Sequence, residues 1–248
     1  MATAVGVDWA GNGWVAASLE DGEWSVEFFP TVLNLWHAHR EAETILLDIP
    51  IGLRESGKRA CDLAAKSALG GNRQASVFLT PTREAVFAPD IETAKARQQP
   101  ADFSVQNQAW AIVPRIRELD VFLREFEGEV TEDQLLEAHP ELCFSGLNGG
   151  EPIDVSKGTD EGREARLAVL ESVDPALRAT FEEAVETFTR PSYAPTIAAS
   201  KTDDILDALV LAASAAQGVE NLERLPADPD HDPVLDRQIE IVYGTVQR

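Results

Sequence analysis

Cysteine is nearly absent from this chain of 248 residues: only Cys61 and Cys143 occur, with no metal-ligand spacing between them. That excludes a disulfide framework or a thiolate zinc centre and leaves two core thiols. Lysine is scarce too, at Lys58, Lys66, Lys95, Lys157 and Lys201, so arginine carries most of the positive charge. The opening MATAVGVDWAGN lacks a basic start followed by an apolar run, which argues against a signal peptide. No stretch approaches the roughly 20 apolar residues of a membrane helix. A cytoplasmic protein with no membrane partner is expected.

Acid is what the chain has in abundance, with 43 acidic against 21 basic residues and a net charge of -22. A hydrophobic content of 44% is too high for disorder. A folded, acidic, lysine-poor chain is the composition expected of a salt-in halophile, in which net charge maintains solubility. In dilute buffer such a charge would repel a polyanion. At about 1 M salt the Debye length is about 3 Å, so net charge does not exclude a nucleic acid partner.

Three short strands open the pattern, at residues 3–9 (TAVGVDW), 14–19 (WVAASL) and 24–29 (WSVEFF). Gly11-Asn12-Gly13 and Asp21-Gly22 supply the positive φ of hairpin turns between them. A helix over 33–43 leads to a buried strand at 44–48, stopped by Pro50. Residues 54–130 look like a helical insertion, with a long helix near 107–126 that tolerates Pro114. A fifth strand at 134–139 ends at Pro140, and helices follow near 161–172, 175–188 and 202–216. Residues 222–225 and 239–243 are expected as late edge elements around a turn-rich 226–233. The expectation is one domain over 1–248: α/β, with a mixed five-stranded sheet of three antiparallel then two parallel strands, flanked by helices.

In that order the carboxyl ends of strands one, four and five share one rim, the place where open α/β sheets bind ligands. Asp8, Asp48 and Glu137 fall there. A strand-end Asp alone is usually a turn former or cap. Three together repel one another unless a cation neutralises them, and hard oxygen donors suit Mg2+ or Mn2+. On the last helix Asp204 and Asp207 share a face. Capping explains residues of the first turn, whereas Asp207 lies beyond the cap.

The segments GVDWA, DIPIGL, LGGNRQASVFLTPTREAVFA, FSVQNQAWAIVPRIRELD, EAHPELCF and DDILDALVLA occur in order. In this the chain resembles domain-of-unknown-function family 429, predicted nucleases with a ribonuclease-H-like core. The D-x-x-D-A-L arrangement on the last helix is also similar to the Holliday-junction resolvases. The resemblance implies a divalent-metal-dependent nuclease hydrolysing DNA or RNA. Two ions would be held by Asp8, Asp48, Glu137 and Asp207, with Asp204 completing the catalytic set. Arg73, Arg83, His139 and Lys201 are the expected substrate contacts, because a guanidinium fork fits phosphate oxygens. For each base a salt bridge to a surface acid is the alternative, and His139 could equally be a hydrogen-bond partner behind the ligands. The five tryptophans could stack on bases or simply pack, with Trp9 beside Asp8 the one of interest. A non-catalytic binding module and an ATP-dependent phosphotransferase remain alternatives, and the oligomeric state, a dimer included, stays open.

Overall fold

Alternating apolar residues and glycine turns fold the start of the chain into a meander of β1 (Ala2–Trp9), β2 (Trp14–Glu20) and β3 (Glu23–Phe29). After α1 (Val32–His39) comes β4 (Thr44–Leu47), and then α2 (Ala60–Leu69), α3 (Arg83–Val86), α4 (Ile91–Gln98) and α5 (Asn107–Glu125). Strand β5 (Leu135–Glu137) precedes α6 (Pro140–Leu147), α7 (Asp160–Val173), α8 (Ala176–Thr189) and α9 (Asp203–Ala215). Strands β6 (Glu223–Asp232) and β7 (Arg237–Tyr243) close the series. This computed structural model describes residues 2–98, 102–190 and 195–246, with backbone alone for Ala2 and Thr3.

Two compact units result. The first comprises Met1–Asp48, Asp133–Glu223 and Tyr243–Arg248. Its five-stranded sheet has the order β3-β2-β1-β4-β5. The pairs β1–β2 and β2–β3 are antiparallel, and β1–β4 and β4–β5 are parallel. This is the mixed α/β sheet expected of a ribonuclease-H-like core. Helix α9 lies against β1, β2 and β4, while α6, α7 and α8 pack on α9. Covered from both directions, α9 is buried without interruption from Asp204 to Ala215, so the apolar stripe expected from its sequence extends around the whole helix.

The second unit comprises Ile49–Glu132 and Arg224–Val242. Helices fill its first stretch, and Ala85, Ala88, Ala94 and Val105 form a small core against Trp110. Helix α5 runs through Pro114, as the sequence suggested. One expectation is corrected: residues 226–232 are not a turn between edge elements but part of β6, which pairs with β7 in a separate two-stranded sheet. The physical reason is that each strand of a two-stranded ribbon has one free edge, so prolines such as Pro226 and Pro229 disrupt fewer ladder bonds in β6 than they would in a central strand. Among the described residues no helix is long and apolar enough to cross a membrane.

Candidate metal centre

The site begins with a missing side chain. A Cβ on Gly6 would lie 2.0 Å from the backbone nitrogen of Ala212 and 2.2 Å from the carbonyl oxygen of Ala208, so glycine alone lets α9 cross β1 at this distance. Asp204, Ala208 and Ala212 follow one another at four-residue spacing on the face that meets the strand. From Gly6 to Asp8 the strand advances about 6.6 Å, and four helix residues cover about 6 Å. The first turns of α9 therefore stand over Asp8. One oxygen each from Asp8, Asp204 and Asp207 come within 4.8 Å of one another, and all three residues are buried.

Asp48 directly follows β4, and its N–H donates to the Val7 carbonyl at 2.9 Å, which keeps it level with Asp8. Glu137 ends β5 at the same rim. Its register partner is Leu47, which in turn pairs with Val7, so by strand alternation Glu137 leaves the opposite face of the sheet from Gly6 and Asp8. Its charge nevertheless reaches Asp48. Four aspartates thus gather on one face with Glu137 behind them.

Burial is the main electrostatic fact here. It raises the Asp8 carboxyl well above the ordinary range, helped by Asp48, Asp207 and Asp204 and opposed by Lys157. Burial likewise raises Asp48 well above that range, with Asp207, Glu137 and Asp204 adding to it and Lys157 opposing it. Asp204 is pushed up to about 7 by burial, against the pull of Lys201. Asp207 is also raised by burial, although Lys157 works against the shift through charge and a hydrogen bond. Oδ1 of Asp207, a residue 2% exposed, is buried without a hydrogen-bond partner. Of Asp8, Oδ1 accepts the Trp9 N–H at 2.6 Å.

Lys157 was not singled out by the sequence. Its ammonium hydrogen-bonds Asp207 Oδ2 and stands 3.6 Å from Asp203. Burial alone would lower the Lys157 pKa, but Asp207 and Asp8 outweigh it and the net shift is upward. The loop that carries it is firmly built. Ser156 O accepts from Thr159 N at 3.1 Å and Thr159 Oγ1 at 2.8 Å, and a Cβ on Gly162 would strike that same oxygen at 1.9 Å. Fully buried Arg166 donates to Val155 O at 3.1 Å and to Glu141 Oε1 at 2.6 Å. A lysine set in a lysine-poor chain is the one sequence signal that could have marked it.

The expected substrate contacts divide between the two units. Lys201 is exposed, 3.7 Å from Asp204, and so stays at the site's edge. His139 is half-buried at the start of α6, where its carbonyl accepts from Leu142 N and Cys143 N. Arg73, on the 3-10 turn Arg73–Ser76, and Arg83 belong to the second unit. Arg83 is committed to Asp120 at 2.7 Å and Asp232 at 2.5 Å, the salt-bridge alternative raised for it. Arg59, 1% exposed, donates to Cys61 Sγ and lies 3.2 Å from Asp62. Trp14 is fully buried, and Trp9 meets it edge to face at 5.3 Å. Cys143 is a core thiol, pushed up to about 12 by burial.

The donors present fit a hard divalent cation. They are carboxylate oxygens, two of them (Asp204 Oδ2 and Asp207 Oδ1) buried without a hydrogen bond, and they lie within 4.8 Å of one another, little more than the about 4.2 Å between opposite oxygens around magnesium. A model of the family described as "Protein of unknown function (DUF429)" matches residues 6–231. The chain belongs to that family. Asp8, Asp48, Glu137, Lys157, Asp204 and Asp207 all lie inside the DUF429 match. No curated protein and no solved structure matches the chain.

Proposed function

We propose that this DUF429 protein is a divalent-metal-dependent nuclease that hydrolyses phosphodiester bonds of DNA or RNA. The observation that carries the reading is the convergence of buried Asp8, Asp204 and Asp207, with half-buried Asp48 beside them, in a setting where all four carboxyls are raised. A bound cation would relieve what raises these carboxyls, the burial of their charge first and their mutual repulsion second, as a proton does. Bound Mg2+ or Mn2+ would supply an activated water and neutralise charge on the phosphoryl oxygens. Asp8, Asp204 and Asp207 hold the ion, and Asp48 completes the anionic face. Until an ion arrives, Lys157 keeps Asp207 ionised and oriented, and Arg166 with Glu141 holds the Lys157 loop in place.

The acidic surface, on this reading, is an adaptation to molar intracellular salt, so the assay belongs in high potassium chloride with Mg2+ or Mn2+. Cleavage of single-stranded, duplex and branched DNA and RNA is compared between wild type and the Asp8→Asn and Asp207→Asn variants. Metal-dependent cleavage by wild type that falls at least 100-fold in each variant is the expected result. A wild type that binds these ions and a nucleic acid without cutting it would leave a binding module instead, and one that binds no divalent ion would remove the reading.

A further inference from the structure

A cavity of about 130 Å³ opens beside the carboxylates, within the first unit, and Lys157, Arg163, Ser200, Thr202 and Asp203 line it. Its volume is well under the roughly 300 Å³ at which sites for drug-sized ligands begin, so a whole nucleoside is too large and a single compact group is the right size. Its chemistry runs against the composition of the chain. Two cations and two hydroxyls line one small space with a single carboxylate, Asp203, in a protein with 43 acidic residues and only five lysines, and the partner of Arg163 is the exposed Asp160. Cations and hydroxyl donors around a compact space are what a phosphate group needs, since its oxygens accept charge-assisted hydrogen bonds from both.

Lys157 belongs to two places at once. Its ammonium bonds Asp207 of the triad, yet its side chain, about a third exposed, also lines the cavity. A divalent ion on Asp8, Asp204 and Asp207 would repel that ammonium and take over its role on Asp207. Four rotatable bonds let a lysine re-aim its head while its loop stays fixed. The loop here is fixed, by Thr159, Gly162 and Arg166.

We propose that this cavity is a phosphate subsite, completed by Lys157 when a divalent ion displaces it from Asp207. The substrate class follows: a phosphodiester chain whose phosphate next to the scissile one is held by Lys157, Arg163, Ser200 and Thr202. The coupling to the ion rests on the metal-centre reading, whereas the subsite itself does not.

Inorganic phosphate is the probe, titrated calorimetrically into the full chain in high salt, with and without Mg2+, alongside Mg2+ titrations. Wild type is expected to bind phosphate at least fivefold more tightly when Mg2+ is present. Arg163→Ala should weaken phosphate at least fivefold and leave Mg2+ affinity unchanged. Lys157→Met should bind Mg2+ at least fivefold more tightly, having no ammonium to displace, and should hold phosphate weakly whether or not Mg2+ is present. Phosphate affinity that neither substitution changes overturns the subsite, as does a wild type that takes up Mg2+ but no phosphate. If phosphate binds through Arg163 while Mg2+ does not bind at all, the metal-centre reading and the coupling both fall and the subsite stands.

Discussion

Buried aspartates meet opposite fates in the two units. In the second, Asp232 is fully buried and entirely satisfied: Leu53 N and an Arg83 nitrogen donate to one oxygen, Val234 N and Leu235 N to the other. Asp230 takes Arg54 and the N–H of Ala60, and Asp120 is ion-paired to Arg83 and Arg124, although its Oδ2 makes no hydrogen bond. In the first unit Asp8, Asp48, Asp204 and Asp207 face one another with Lys157 as the ammonium on Asp207, and an oxygen of Asp207 has no hydrogen bond. The same side chain is a fastener where donors meet it and, on the proposed reading, a receptor where they do not. What separates the two groups is the cations that meet them: each of these acids of the second unit faces an arginine, whereas the four of the first unit face chiefly one another.

Substitution breaks this contrast most sharply. Asp8→Asn should abolish cleavage by the 100-fold already given and yet raise the melting temperature of the metal-free protein, because it removes a buried charge from a repelling group. Asp232→Ala should do the reverse. It leaves Arg83 with Asp120 alone and the N–H groups of Leu53, Val234 and Leu235 without their acceptor, and the loss of a buried pair is expected to cost about 3–5 kcal/mol in a denaturant titration. A destabilised Asp8→Asn, or a neutral Asp232→Ala, would erase the distinction.

Next in size is Gly6→Ala. Its Cβ would sit about 2 Å from helix backbone that cannot rotate away, so α9 must shift, at an expected cost of at least about 1–3 kcal/mol. Thermal unfolding gives that number, and Mg2+ affinity should fall with it, since the shift separates Asp204 and Asp207 from Asp8.

The smallest effect sharpens the comparison through pH. Asp204 is raised in the folded protein to about 7, from 3.8. Its folded form therefore binds a proton more tightly than its unfolded form, and its contribution to stability falls as pH rises through that window. The difference in unfolding free energy between wild type and Asp204→Asn should change with a slope of up to about 1.4 kcal/mol per pH unit between roughly pH 4 and 7. Wild type should lose ground as pH increases, and saturating Mg2+ should flatten the slope. A difference that stays flat across that window would mean that Asp204 is held ionised in the fold.

Much of the first unit was legible because its signals are local. Glycine turns mark the β1–β3 meander, and proline after Asp48 and after His139 ends the two short parallel strands. The D-x-x-D spacing puts Asp204 and Asp207 on one side of a helix without reference to anything else. What stayed hidden depends on partners distant in sequence. The face taken by Glu137 follows from its register with Leu47, which no alternation within β5 reveals. Lys157 sits in a loop with no periodicity, and its value appears only once that loop packs on Gly162 and meets α9. Arg83 looks like a phosphate ligand until Asp120 and Asp232 arrive from far along the chain. The β6–β7 ribbon was obscured by prolines that suggest turns wherever an edge strand is not anticipated.

The close crossing at Gly6 reaches beyond the residue itself. Because Ala208 and Ala212 rest on the strand at a fixed height, the interval between them and Asp204 sets where the carboxylates point. One residue inserted after Asp207 would swing the aspartates about 100° around the helix axis while the contact stayed put. Chain length across this turn and a half of helix is thus constrained as tightly as the identity of the acids. An indel here should silence the site even with every aspartate retained.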